Sequence, residues 1–279
     1  MRKSLNCNGK LVSIDRPLVM GIVNITPDSF YDGGSYHTES DFLKRCEAII
    51  SEGGDIIDVG AVSTRPGAQE VEAIEELRRL DRALAPMRKY FPEAIISVDT
   101  YCADVAKAVV ENYAVDVIND ISAGTFDDRM FEAIAALNVP YILTHIYGTP
   151  RTMKENPVYG NLMEDIINYF SENVNHLHKL GIKDIIIDPG FGFGKTMEHN
   201  YEIIRHLKDL EIFELPILVG ISRKSMIYKL LEIDAANSLN GTTVLNTLAL
   251  IGGADILRVH DVKEAVECVK IVQKVIENT

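Results

Sequence analysis

Polar and charged residues stand directly after short apolar runs throughout this chain. Asn24 follows Leu18–Val23, Asp99 follows Ala94–Val98, and Asn119-Asp120 follow Val115–Ile118. His145 follows Tyr141–Thr144, Asp188 follows Ile185–Ile187, and Ser222-Arg223-Lys224 follow Ile217–Ile221. Arg258 and His260 end the run Ile256–Val259, and Asp58 lies in Asp55–Val59, ahead of a loop holding Ser63, Thr64 and Arg65. A lone aspartate at such a place is an ordinary cap. A residue set of both charge signs, one behind every apolar run, is hard to explain by capping.

The set divides by chemistry. Arg65, Lys224 and Arg258 only donate hydrogen bonds, as does His260 when protonated. Arg258 and His260 come just before a helix that should begin near Asp261, and arginine beside a helix N-terminus suits phosphate or pyrophosphate. Asp99, Asn119 and Asp188 accept. A carboxylate with an amide nearby matches a planar heterocycle that presents N–H groups on one edge. A 2-amino-4-oxopyrimidine does so, its amino group and adjacent ring N–H forming a fork for one carboxylate. Lys224 would meet the oxo group of that ring. The aspartates and Asn24 are also suited to a divalent metal. The stretch Asp188-Pro-Gly-Phe-Gly-Phe-Gly-Lys195 is not a nucleotide-binding P-loop, because Gly190 precedes Gly194 by four residues rather than five. His145 has no Cys or Ser nucleophile at a suggestive spacing, so a structural or pocket-wall role is expected. His37, His176, His178, His199 and His206 read as surface.

These residues need a frame. The three isoleucines before Asp188 are too few for a helix core and read as a strand buried on both faces, stopped by Pro189. Helix-like segments at 39–52, 70–90, 101–112, 128–138, 161–180, 199–211, 239–252 and 262–276 separate the apolar runs. Ala73, Leu77, Leu80 and Leu84 show the helical spacing in one of them. Thr100 and Asp261 are expected caps, and Gly181 an expected helix stop. Strands alternating with helices call for parallel pairing, and eight such units predict a single (β/α)8 TIM barrel over residues 17–279. Residues 1–16 predict a short N-terminal β-hairpin cap turning at Asn8-Gly9. A barrel carries its active site at the carboxyl ends of its strands, where the polar set lies. Loops 26–35 and 63–68, which mix Gly or Pro with functional side chains, are expected lids.

Composition narrows the partners. A formal net charge of −13 over 279 residues argues against nucleic acid and anionic membrane. No apolar run approaches membrane-span length. Cys7, Cys46, Cys102 and Cys268 form no Cys-x-x-Cys pair, as expected for free thiols in a reducing cytoplasm. A soluble cytoplasmic protein acting on small molecules is predicted.

Several motifs together make the chain resemble the dihydropteroate synthases, pterin-binding TIM barrels. They are Met20-Gly-Ile-Val-Asn-Ile-Thr-Pro-Asp-Ser-Phe30, Asp58-Val-Gly-Ala-Val-Ser-Thr-Arg-Pro-Gly67, Ser97-Val-Asp-Thr100, Val117-Ile-Asn-Asp120, Asp188-Pro-Gly-Phe-Gly-Phe-Gly-Lys195, Gly220-Ile-Ser-Arg-Lys-Ser225 and Arg258-Val-His260. The resemblance implies condensation of 6-hydroxymethyl-7,8-dihydropterin pyrophosphate with p-aminobenzoate in folate biosynthesis. It implies that Asp99, Asn119, Asp188, Lys224 and Arg258 hold the pterin, and that Asn24, Arg258 and His260 hold the pyrophosphate, with Mg2+ at Asn24. Thr64, Arg65, Pro66, Phe193, Ser222 and Lys224 would line the p-aminobenzoate site, and Phe30 and Asp32 would close over it. Asp99, Asp188, Lys224, Arg258 and His260 would carry the catalysis. A homodimer through helices 239–252 and 262–276 is implied, as is a sulfonamide target. Two departures stand out: Gly60-Ala61-Val62 replaces the usual Gly-Gly-Glu, and Thr144-His145-Ile146 replaces Met-His-Met. The rival readings are a pterin-dependent (methyltetrahydrofolate) methyltransferase, which would not need the Ser-Thr-Arg-Pro-Gly loop, and a non-catalytic pterin-binding protein, which would not need Arg258 and His260 together.

Overall fold

Runs rich in Ile and Val form the strands, and the polar or glycine residues behind them end the ladders. In the computed structural model, which describes residues 3–25, 38–63, 71–148 and 159–276, the chain opens with an antiparallel hairpin, β1 (Lys3–Cys7) and β2 (Lys10–Ile14). Its turn residues Asn8 and Gly9 have φ of 51° and 86°, the positive values a tight hairpin turn requires. Eight parallel strands follow: β3 (Leu18–Asn24), β4 (Ile56–Gly60), β5 (Ile95–Asp99), β6 (Val117–Asp120), β7 (Tyr141–Thr144), β8 (Ile185–Asp188), β9 (Leu218–Val219) and β10 (Ile256–Val259). They pair in chain order, and β10 returns to β3. A single bridge, Ile187 to Ile217, joins β8 to the start of β9 and closes the barrel.

Helices α1 (Glu39–Ser51), α2 (Ala73–Tyr90), α3 (Ala103–Tyr113), α4 (Met130–Leu137), α5 (Leu162–Lys179), α6 (Met197–Arg205), α7 (Ser225–Tyr228), α8 (Leu239–Ile251) and α9 (Val262–Ile276) form the outer layer. On α9 the buried residues are Val262, Ala265, Cys268, Val269 and Val272, a stripe with helical spacing. The helix expected over 199–211 is split: α6 ends at Arg205 and a 3-10 turn spans Leu207–Phe213. The short α7 was not anticipated. Thr100 is not the cap of α3. Its hydroxyl accepts the Cys102 N–H (3.2 Å), while Asp127 accepts the Ala103 N–H (2.9 Å). Gly181 follows α5 with φ of 89°, as expected of a helix stop. All four cysteines are free thiols. Among the described residues no helix is long and apolar enough to cross a membrane.

The twofold period of the strands builds the site. Leu5, Cys7 and Ile14 of the hairpin pack on an inner apolar layer that includes Ile56, Val117, Ile142, Ile186, Leu218 and Ile256. Two residues further along these strands come Asp58, Asn119, Thr144, Asp188, Gly220 and Arg258. The alternate residues, such as Ile57, Val59, Ile118, Ile187 and Leu257, pack outward on the helices. The hairpin therefore plugs the amino end of the barrel, and a polar layer occupies its carboxyl end.

Candidate active site

Arg258 organises the polar layer. Its Nε donates to Asp58 Oδ2 at 2.7 Å; one terminal nitrogen stands 2.6 Å from that oxygen as an ion pair and donates to Asp99 Oδ2 at 2.9 Å. Asp58 is fully buried, and the Asn119 amide leans on its two oxygens at 3.3 and 3.4 Å. Four strands, β4, β5, β6 and β10, are thereby cross-linked inside the barrel. Burial pushes the Asp99 carboxyl up to about 7; Arg258 opposes this, and Asp58 adds to it. Arg258 is thus already paired with two aspartates, although its other terminal nitrogen makes no hydrogen bond to the described residues.

Opposite stands Asp188, 6% exposed, whose Oδ1 accepts the Gly190 N–H at 2.8 Å. Its pKa is raised by burial and lowered by Lys224, Gly190 and Arg258. Gly220 forms the floor between the two groups: a Cβ there would lie 3.9 Å from Arg258 Cβ and 4.0 Å from Asp188 Oδ2. A flat ring laid over Gly220 would thus have Asp188 on one side and Arg258 with Asp99 on the other. Lys224 donates to the Phe191 carbonyl, and its ammonium lies 4.7 Å from the centre of the Phe193 ring. Burial pushes Lys224 down to about 8, with Asp188 acting against it.

Ser222 and His260 meet at the rim. The Ser222 hydroxyl lies 3.0 Å from His260 Nδ1 and accepts the His260 N–H at 3.2 Å. Burial, then the Arg258 cation, lower the His260 pKa to about 4, with the Asp261 carboxylate acting against them, so the ring is neutral at pH 7. Asn24 ends β3, its side-chain oxygen 3.2 Å from where a Gly60 Cβ would stand, so glycine is what lets Asn24 and Asp99 come together there. Among the described residues no cluster of three or more His, Cys, Asp or Glu could hold a metal ion. Asn24 offers one neutral oxygen, and Asp58 and Asp99 are held by Arg258. That donor set fits Mg2+ only as one ligand of an ion whose remaining ligands are phosphate oxygens and waters.

Not every strand-end residue reaches the site. Asp120 shares its face with Ile118 rather than Asn119. It accepts from Tyr141 Oη (2.7 Å), from the Ser122 N–H and hydroxyl (2.7 Å each) and from the Gly124 N–H (2.8 Å), and so shapes a loop behind the barrel. Arg223, with φ of 55°, turns away to pair with Asp261 at 2.8–2.9 Å, which occupies the carboxylate expected to cap α9. His145 is buried among Tyr159, Tyr169 and Phe170, and burial drives its pKa down to about 2. His199 is not a plain surface residue: it completes a capping box with Thr196 at the start of α6. Ala61 and Val62 are buried, and the Ala61 carbonyl accepts from Arg79 at 3.0 Å. Phe30, Asp32, Thr64, Arg65 and Pro66 lie outside the described residues. The part played by Asp58 had no signal in its own neighbourhood; only its parity with Asn119 and Arg258 on the closed barrel places it.

Known proteins resemble this chain over nearly its whole length. A family model described as pterin binding enzyme matches residues 20–260. The dihydropteroate synthase of Escherichia coli is 41% identical over 271 residues, covering 96% of this chain and 95% of that protein. The dihydropteroate synthase of Synechocystis is 40% identical over 259 residues, 92% and 89% of the two chains. Among solved structures, Yersinia pestis dihydropteroate synthase in a sulfonamide drug complex superposes with a TM-score of 0.93 at 38% identity over 100% of both chains. Xanthomonas albilineans dihydropteroate synthase with 4-aminobenzoic acid gives 0.89 at 35% identity, over 99% and 98%.

Proposed function

The chain belongs to the pterin binding enzyme family, among its dihydropteroate synthases, and from that premise we propose how its polar layer divides between two substrates. The reaction joins 6-hydroxymethyl-7,8-dihydropterin pyrophosphate to p-aminobenzoate, giving 7,8-dihydropteroate and pyrophosphate. The pterin lies over Gly220. Asp188 takes the fork of its 2-amino and ring N–H groups, Asn119 and Asp99 meet its other polar edge, and Lys224 meets the oxo group. Arg258 covers one face and, with His260 and Asn24, receives the pyrophosphate. p-Aminobenzoate stands against Phe193 and Lys224, next to Ser222, with Thr64, Arg65 and Pro66 completing its site and Phe30 and Asp32 closing it.

The observation that carries the reading is the interior layer in which Asp188 faces Arg258 and Asp99 across Gly220. The C–O bond to pyrophosphate breaks as its developing charge is met by Arg258 and by His260, whose ring gains a proton more readily beside a polyanion. The electron-rich dihydropterin carries the positive charge left on the methylene carbon, and Asp99 stabilises it electrostatically. The amine of p-aminobenzoate, already neutral at pH 7, forms the C–N bond and releases its proton, so no strong general base is needed. Mg2+ bound with the pyrophosphate and touching Asn24 would supply further charge stabilisation. Pyrophosphate release should require both substrates. Release from the pterin pyrophosphate alone at the same rate would overturn the reading. Asp188→Ala leaves the N–H fork unpaired and should weaken pterin binding by about 2–5 kcal/mol. Calorimetry reads that loss directly, and near-normal affinity would contradict the assignment.

The enzyme is proposed to act in the cytoplasm as a homodimer, with the sulfonamide sensitivity expected of a site that binds p-aminobenzoate. The support for the dimer is an apolar face left on α8 and α9. Val244, Leu248 and Ile251 recur at helical spacing on α8, 45–62% exposed, beside Ile271 and Val275 of α9, each 66% exposed. An exposed apolar patch of this kind calls for a cover. Val244→Glu with Leu248→Glu should halve the mass seen by light scattering; an unchanged mass would place the dimer face elsewhere.

A further inference from the structure

Lys195 takes no part in the chemistry above, yet it is the most fully engaged lysine near the site. Its ammonium donates to the carbonyls of Gly190 (2.9 Å), His145 (3.2 Å) and Phe193 (3.2 Å). An ammonium has three donors and no acceptor, so these carbonyls match its full capacity. They come from two places. His145 follows β7, and Gly190 and Phe193 are the two ends of a tight turn, closed by the Phe193 N–H donating to Gly190 O at 3.1 Å. Lys195 therefore ties the glycine loop behind β8 to the end of the neighbouring strand.

Lys224 reaches the same loop at a different carbonyl. It donates to the Phe191 carbonyl and stands over the Phe193 ring. In the proposed complex Lys224 turns to the oxo group of the pterin, and its hold on Phe191 is given up. The charged and titratable groups around Lys195 are Asp188, Lys224 and His145, whose ring is neutral. Asp188 is anchored without Lys195: its carbonyl accepts the His145 N–H at 2.9 Å and its carboxylate accepts the Gly190 N–H at 2.8 Å. Losing the lysine should therefore leave the pterin carboxylate in place and release Phe193.

We propose that Lys195 is a positioning residue that fixes the Gly190–Phe193 turn while Lys224 is occupied by substrate, and so holds Phe193 in place for p-aminobenzoate. The inference rests on the placement of p-aminobenzoate against Phe193. Lys195→Met keeps the length of the side chain and removes its donors. The KM for p-aminobenzoate should rise about tenfold or more, the equivalent of one or two net hydrogen bonds, with the KM for the pterin pyrophosphate within about twofold. A merely structural lysine would lower the melting temperature and the active fraction and leave both KM values alone; that result overturns the proposal. Lys195→Gln, which keeps two N–H donors on a shorter arm, should fall between the wild type and Lys195→Met. Phe193→Ala separates the premise from the inference. A raised p-aminobenzoate KM there with an unchanged one in Lys195→Met defeats the positioning role, whereas unchanged values in both remove the premise. The wild type alone gives an independent check: the Phe193 amide, which closes the turn on Gly190 O, should stay protected from hydrogen exchange when the pterin pyrophosphate binds. Loss of its protection on binding would show that Lys224, not Lys195, holds the turn.

Discussion

Arg258→Ala should destabilise the fold by about 3–5 kcal/mol, as expected when one partner of a buried ion pair is removed. Asp58 has no exposed surface, and its partners beside the arginine are two long contacts from one amide. Without the guanidinium, two carboxylates face each other in the barrel with no cation between them. The loss should also depend on pH. Asp99 in the folded protein is raised to about 7, above its unfolded value, so folding binds a proton between the two. Asp99 therefore disfavours folding increasingly as pH rises through that window. Arg258 is what holds the shift to this size, so in the variant the folded pKa lies higher still and the penalty continues to grow past neutrality. Urea unfolding at pH 5.5 and 8.0 should give the larger difference from wild type at pH 8.0. A difference below about 1 kcal/mol at both would mean that no such network is buried there. Arg258→Lys should recover only part of the stability, since one ammonium cannot reproduce the guanidinium fork.

The double pairing of Arg258 also bears on the reaction. An arginine held by two carboxylates is pre-aimed, so little side-chain freedom is lost when the leaving group arrives. Its remaining terminal nitrogen and its face are what it has to offer an anion. In the proposed complex the pyrophosphate would compete with Asp99 for Arg258, leaving the Asp99 carboxylate less neutralised next to the carbon where positive charge would develop.

The barrel was legible because strand period and chain order say so much about parallel folds. Each apolar run is short and ends in a polar residue or proline, and a closed parallel sheet sends all those ends to one rim. What could not be read were contacts that exist only once the barrel closes. Asp58 and Arg258 are 200 residues apart and touch because β10 returns to β3. Nothing near Asp58 in the sequence says that a cation will lie beside it. Asp120 and Arg223 look like rim residues by position. The parity of β6 turns Asp120 outward, where Tyr141 takes it, and the left-handed backbone of Arg223 swings that side chain to Asp261. Parity was available in the sequence and separates Asn119 from Asp120; the turn at Arg223 was not. Lys195 was unreadable for a different reason. Its partners are all backbone carbonyls, which leave no trace in residue identity.

Gly190→Ala should be the most damaging single-methyl change in the loop, while Gly192→Ala, two residues on, should be mild. Both glycines have positive φ, 71° and 82°, so each alanine carries a backbone penalty of about 1–2 kcal/mol. The surroundings separate them. A Cβ on Gly190 would lie 1.9 Å from the His145 carbonyl oxygen and 3.0 Å from its carbon, a collision with backbone. Neither chain can retreat easily. The His145 N–H is tied to the Asp188 carbonyl at 2.9 Å, and the His145 carbonyl to Lys195 at 3.2 Å. A Cβ on Gly192 would meet only the Lys224 side chain at 3.5 Å, an ordinary contact. Relieving the clash at Gly190 means separating the loop from the end of β7, which breaks the Lys195 contacts and moves the N–H that orients Asp188. The total should exceed about 4 kcal/mol, the range reserved for backbone strain combined with lost buried contacts. Pterin affinity should fall with it, since Asp188 Oδ1 loses the Gly190 donor. Denaturant unfolding and pterin binding measured on both alanine variants make the comparison. Equal losses at the two positions would mean that positive φ alone, and not the packing against His145, is why glycine stands at residue 190.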